Sequence, residues 1–245
     1  MQQCPAERVR ERLLRRPPRP CAVAGCLQPT HALSQYCIKH KKGLLRHGGV
    51  KARAIRLTEL KPFKPCVRNF LRQNRGHAAL LAVYADLDRM LYEATLAPVR
   101  HRPRAQDWQQ RMRYDLDRLH QGGVTGEEVF ELVAILFMFS EYNQRTLAPW
   151  SRPFWFSAAR LTLNLRSRDQ DCPLVNKHAA SRVNSKTLET IGKRITVTCA
   201  PVFRAMKETI EATVELQQKQ RQAIEKLLAK EPFKISIQEP ARALA

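Results

Sequence analysis

Apolar residues recur at helical spacing over the last three quarters of the chain. From Val67 to Leu96 the positions Phe70, Leu71, Leu80, Leu81, Tyr84, Leu87 and Leu91 fall on helix faces, and Gly76 is expected to split the run into two helices. A turn over Pro98–Pro103 follows. Trp108, Met112, Leu116 and Leu119 then predict an amphipathic helix closed by Gly122-Gly123. Thr125 with Glu128 three residues on is a capping box, and it opens a helix over Glu127–Tyr142 that is apolar nearly all round. Such a helix belongs at the centre of an all-helical core.

Trp150, Phe154, Trp155 and Phe156, interleaved with Arg152 and Arg160, have two readings. They pack a helix start against the core, or they form a stacking platform for unpaired bases. Residues 166–186 are polar and aperiodic and predict a long loop. Leu188, Ile191, Ile195, Met206, Ile210, Val214, Ile224 and Leu227 restore the helical period, with Pro201 expected to kink or interrupt it. The β-branched Thr196-Val197-Thr198 allows a short strand as the competing reading. Asp86/Asp88 and Asp115/Asp117 lie two apart on helices and do not face each other; they are expected to form surface ion pairs, not a two-carboxylate site.

The first quarter is different, being polar, proline-containing and strongly basic. The chain carries a net charge of +21 over 245 residues; residues 1–70 hold 16 Lys/Arg against 3 Asp/Glu, a net +13. A concentrated positive field attracts polyanions and releases their counterions, which makes nucleic acid the expected partner. Within this segment stands one arrangement of metal-ligating residues. Cys21 and Cys26 have four residues between them; ten residues later Cys37 and His40 have two between them. Soft thiolate and imidazole donors in two tight pairs suit zinc in a closed tetrahedral, structural site. His31 and His47 are the alternative imidazoles. Cys37 and His40 project from one face of a helix, for which Ser34 is the expected N-cap and Gly48-Gly49 the stop. Gly25 before Cys26 suits the positive φ of a knuckle.

Spacing places Lys39, Lys42 and Arg46 in one stripe on that helix, well placed for phosphate contacts. Arg12, Arg15 and Arg16 in the N-terminal arm and Lys51, Arg53 and Arg56 in the following connector extend the candidate nucleic-acid contacts. The remaining cysteines suggest no disulfide framework, no secretory leader is evident, and the longest apolar run, Leu132–Phe139, is too short to span a bilayer. These features predict a soluble cytoplasmic protein without a membrane role. No nucleotide loop, nucleophile elbow or H-E-x-x-H occurs, so the chain is expected not to be an enzyme.

The pattern C-x-V-x-G-C-x-x-P…C-x-x-H followed by R-H-G-G, carried by Cys21, Val23, Gly25, Cys26, Pro29, Cys37, His40, Arg46, His47 and Gly48, resembles a small zinc-knuckle module of phage and other mobile-element proteins. Such modules often neighbour treble-clef or HNH-type nuclease parts. They serve as DNA grips, as protein docks or as staples. The resemblance implies a mobile-element context, hence a bacterial cytoplasm or nucleoid, or the host cytoplasm for a phage protein. The chain departs from the nuclease pattern downstream, where Asn176-Lys177-His178 stands alone.

The expected fold is mainly α, a zinc-knuckle or treble-clef-like N-terminal module joined to an all-helical domain. Its parts are a basic arm (1–20), the zinc module with its basic helix (21–49), a basic linker (50–66), the helical domain (67–231) and a flexible tail (232–245). The expected function is a zinc-stabilised DNA-binding accessory or regulatory protein, with double-stranded DNA as partner and RNA still open. The alternatives are a protein-interaction adaptor that docks a partner on its helical domain over a purely structural zinc, and an HNH-like nuclease remnant.

Overall fold

The computed structural model describes residues 19–30, 34–96, 107–165 and 183–230. The arm (1–18), His31, most of the long polar stretch (166–182) and the tail lie outside them. The fold is mainly helical. The helices are α1 (Ile38–His47), α2 (Leu57–Leu60), a 3-10 turn (Lys61–Phe63), α3 (Lys64–Gln73), α4 (Ala78–Glu93), α5 (Trp108–Gln121), α6 (Gly126–Tyr142), α7 (Arg152–Leu163) and α8 (Ser185–Lys230). No β-ladder forms among the described residues beyond an isolated antiparallel bridge between Pro20 and Pro29.

The chain divides into two units at Arg204, within α8. In the first, α6 is the central element. Val129, Phe130, Val133, Ala134 and Leu136 are fully buried, and α6 packs against α2, α3, α4 and α7. Its capping box is present: the Glu128 amide donates to Thr125 Oγ1 at 3.3 Å and the Thr125 amide to Glu128 Oε2 at 3.1 Å. Asp88 adds a further cap, its Oδ1 accepting from the Gly126 amide at 2.5 Å. A side chain at Gly126 would strike the Tyr84 carbonyl, so this glycine sets how closely α6 approaches α4. The second unit begins at Ala205; its described residues continue α8, where Thr209 Oγ1 donates to the Ala205 carbonyl at 2.8 Å.

Of the two readings of the aromatic cluster core packing is the one found, and several other expectations are corrected. The aromatic cluster is core: Phe154 and Phe156 are fully buried, and Trp150 packs on Phe137, Phe154 and Phe203. Core packing therefore accounts for Phe154 and Phe156, while Trp150 keeps 42% of its surface exposed and Trp155 is half-buried. Trp150 itself sits at φ 61°, a strained conformation for a side-chain-bearing residue, fixed by those three ring contacts. Thr196–Thr198 is helical, and α8 runs through Pro201 without interruption. Buried Cys199, Val202 and Phe203 hold the helix on either side of the proline, whose ring is exposed. Asp86 pairs with Arg89 at the surface as expected (3.3 Å). Asp115 and Asp117 are instead buried. Arg111 Nε donates to Asp115 Oδ2 at 2.9 Å, four residues back along α5, and Gln121 Nε2 donates to Asp117 Oδ2 at 2.9 Å. Residues 57–63, inside the stretch expected to act as a linker, are helical, and Leu60 is buried.

Candidate metal centre and basic helix

The N-terminal module is held by very little apolar matter. Cys21, Val23 and Cys37 form its buried cluster, with Cys26, Tyr36 and Val50 half-buried against it. The knuckle follows from local backbone chemistry. The Cys26 amide donates to the Val23 carbonyl at 3.0 Å, and Gly25 between them takes φ +78°. The Ala22 amide bonds the Gln35 carbonyl at 2.9 Å, bringing the first cysteine pair onto the start of α1. Cys37, not Ser34, is the N-cap residue of α1; Ser34 turns on its own strand of chain, accepting from the Tyr36 amide and donating to its carbonyl. The helix stops where expected. Gly48 takes φ +76°, and its amide donates to the Leu44 carbonyl at 3.1 Å.

Sγ of Cys21, Cys26 and Cys37 and a ring nitrogen of His40 lie within 4.8 Å of one another. A tetrahedral ion with metal–sulfur bonds of about 2.3 Å and a metal–nitrogen bond of about 2.0–2.1 Å separates its ligands by about 3.8 Å (S···S) and about 3.6 Å (S···N). The observed edges are 3.9 Å for Cys26–Cys37, 3.3 Å for Cys21–His40 and 3.4 Å for Cys37–His40. The four residues therefore can hold one metal ion. The inward nitrogen of His40 is Nδ1.

Electrostatics point the same way. Desolvation pushes the Cys21 thiol up, but the Cys37 and Val23 backbone hydrogen bonds, with His40 and Cys26, outweigh it and bring it down to about 6. For Cys26 a backbone hydrogen bond at Gln28 lowers the value, while desolvation and the neighbouring Cys21 and Cys37 sulfurs raise it, and the net shift is upward. One thiolate forms readily at Cys21, and Cys26 resists ionising beside it. A cation at the centre removes that conflict.

His47 is not part of this group. It is half-buried at the far end of α1, its pKa lowered by burial and by the nearby charges of Arg160 and Arg46. Here the module meets α7. Arg160 Nε donates to the Arg46 carbonyl at 2.8 Å, a cation capping the negative end of α1. A Cβ on Gly48 would lie 2.8 Å from the Arg152 carbonyl oxygen and 3.0 Å from the Phe156 ring. The candidate ligand cluster lies at one end of α1, and α7 holds the other.

Lys39, Lys42 and Arg46 are all exposed on α1. None of the three has a carboxylate within ion-pair distance among the described residues. Lys51 and Arg56 are exposed in the segment that follows; Arg12, Arg15 and Arg16 lie outside the described residues. Arg53 is committed elsewhere. Its guanidinium clasps Glu59 through two hydrogen bonds of 2.7 and 2.5 Å, while Glu59 Oε1 also accepts from the Arg56 amide at 3.0 Å and so caps α2. The Arg53 hydrogen bonds, with the backbone bond from Arg56, outweigh desolvation and bring the Glu59 carboxyl down to about 2.

Because that pKa is depressed, the pair's stabilisation is complete above the ordinary glutamate pKa of about 4.3 and disappears as pH falls through about 2. Glu59→Gln is expected to cost at most about 1 kcal/mol at pH 7, the size of an exposed ion pair. Urea denaturation of both proteins at pH 7 and at pH 2 checks this, and at pH 2 the difference should close.

Two features escaped sequence reasoning. Arg160 is remote in sequence from the helix it caps. Ile38 and Leu45, 52% and 49% exposed, stand on the outer side of α1, opposite half-buried His40, Leu44 and His47 and buried Gly43. The seven-residue spacing of the two aliphatics was the available signal. Among the described residues no helix is long and apolar enough to cross a membrane. No protein family, curated protein or solved structure matches the chain.

Proposed function

We propose that this chain is a zinc-stabilised DNA-binding accessory or regulatory protein, non-catalytic, with double-stranded DNA as its ligand. One observation carries the reading. α1 is held at one end by the Cys21/Cys26/Cys37/His40 cluster and at the other by α7, and it presents Lys39, Lys42 and Arg46 to solvent with no acidic residue between Ser34 and Thr58. A helix already fixed loses little further entropy when its cations meet phosphates. Zinc is the ion the donor set favours, three thiolates and an imidazole in a closed tetrahedron. The mobile-element setting rests on the resemblance of the Cys21–Gly48 segment. The cytoplasm, a reducing compartment, suits free thiols serving as ligands.

A titration of the protein against a labelled duplex by anisotropy, across salt concentrations, tests the reading. Affinity should fall steeply with salt. The triple variant Lys39→Ala/Lys42→Ala/Arg46→Ala should bind more weakly on every sequence, with the slope of log K against log salt reduced by about 3. Unchanged affinity and slope would remove DNA binding by α1.

The adaptor reading draws on a separate feature of the helical domain. A cavity of about 340 Å³ lies beside α6, its apolar lining including Leu57, Leu60, Leu132 and Ile135 and its polar side carrying both cations and the carboxylates Glu128 and Glu131. Nucleic-acid affinity that survives loss of the stripe would favour that reading.

A further inference from the structure

We infer that α1 is a groove-reading helix, with Ile38 and Leu45 meeting base edges in the DNA major groove and the lysines and arginine on its flanks reaching the phosphates. This rests on the DNA-binding reading above and adds to it, because phosphate contacts alone carry no sequence information.

The placement of side chains around α1 supplies the reason. With successive residues 100° apart, the half-buried and buried positions His40, Gly43, Leu44 and His47 define an inner side, and the line opposite runs through Ile38 and Leu45. Lys42, Arg46 and Lys39 fall on one flank of that line and Lys41 on the other; all four are exposed. The outermost ridge of the helix thus carries Ile38 and Leu45 with Lys42 beside them, and the other cations lie further round on both sides. Helix α1 has ten residues and so is about 15 Å long, while the B-DNA major groove is about 12 Å wide and admits a helix. In that seat the two aliphatics face the floor, where the thymine methyl is the apolar group on offer, and the flanking cations face the two backbones.

Other occupants fit this ridge less well. A protein groove that takes a helix is filled by apolar anchors at i, i+3, i+4 and i+7. Here Lys41 and Lys42 stand at i+3 and i+4. Two aliphatic side chains also fall far short of the roughly 800 Å² per partner of a stable protein interface. An interfacial membrane helix needs a broad apolar face, which the same lysines interrupt. Single-stranded nucleic acid is gripped by exposed rings, and α1 has none on its outer side.

The experiment is selection from a random duplex pool with the intact, zinc-loaded protein, compared with the Ile38→Ser/Leu45→Ser variant. Both side chains are half exposed, so the variant should keep its helix content and its metal; circular dichroism and zinc stoichiometry establish that first. The wild type should enrich a thymine-containing motif. Replacing one contacted thymine by uracil, which removes only the methyl, should weaken binding about 5–10-fold. The variant should bind random duplex with the wild-type salt slope yet enrich nothing. A wild type that binds duplex DNA with a steep salt slope but selects no motif overturns the inference and leaves the DNA reading standing. So does a variant that selects the same motif, or a uracil duplex that binds equally well. Preference for duplex RNA overturns it too, since the A-form major groove is closed to side chains. Absence of binding to any duplex overturns both readings.

Discussion

Removing the metal proposed for the Cys21/Cys26/Cys37/His40 cluster will unfold the N-terminal module and leave the helical bundle folded. The module's buried cluster consists of Cys21, Val23 and Cys37, with Cys26, Tyr36 and Val50 partly buried against it, so half of what holds it together is sulfur that the ion would ligate. In zinc-finger peptides the metal contributes about 10–16 kcal/mol of apparent binding free energy, which is also their folding free energy. The bundle has its own core, centred on α6, and none of the four candidate ligands belongs to it. Purified protein should carry one zinc per chain. A strong chelator should open tryptic cleavage at Lys39, Lys41, Lys42 and Arg46 while the bundle resists. The far-UV signal should fall only by about the ten residues of α1. Cys37→Ser should behave like the chelated wild type. A module that stays protease-resistant after complete zinc loss would mean that docking on α7, and not the ion, maintains it.

Gly192→Ala is expected to destabilise the first unit by about 3 kcal/mol, the upper part of the range for overpacking a well-filled site. Gly192 is buried in α8 where the helix backbone lies against Trp155 of α7. An added Cβ would fall on the Trp155 carbonyl oxygen, 2.5 Å from the carbonyl carbon and 2.9 Å from Cα. These are backbone atoms, so no side chain can swing aside. One helix must move, and the ring contacts of Phe203 further along α8 resist that. For a unit of this size the loss corresponds to a melting temperature lower by about 6–12 °C. Gly76→Ala is the internal comparison. Nothing lies within 4 Å of its added Cβ, and the effect there should be within about 1 kcal/mol and favourable if anything. Equal melting temperatures for the two variants would show that α7 and α8 do not approach so closely.

What could be read from the sequence was what is local. The capping box at Thr125/Glu128, the split at Gly76 and the stop at Gly48 each depend on a few neighbouring residues, and each is found where expected. The grouping of Cys21, Cys26, Cys37 and His40 was legible for the same reason, since its two pairs span twenty residues; that His40 turns Nδ1 inward was not. Pro62 and Pro65, which close the stretch expected as a linker, show how a local signal misleads. Proline stops a helix but also starts one, and here both residues occupy the first turn of a helix. The stretch expected as a linker therefore contains α2, the 3-10 turn and the start of α3. Burial of Asp115 and Asp117 depends on which helix face the tertiary fold covers, and no spacing rule along α5 supplies that. The aromatic cluster, read either as platform or as core, was settled by Phe203, about fifty residues further on.

The Arg160–Arg46 hydrogen bond joins residues 114 positions apart. During synthesis the metal-binding segment emerges first, and at roughly 5–20 residues per second Arg160 follows Arg46 by about 6–23 s. Through that interval α1 has the Cys21/Cys26/Cys37/His40 cluster at one end and no cap from α7 at the other, so a metal bound there would alone have to keep the nascent segment in shape. If the cluster holds zinc, as proposed, a cell short of that ion would expose a cationic, partly formed segment on every ribosome translating this message, well before the bundle exists.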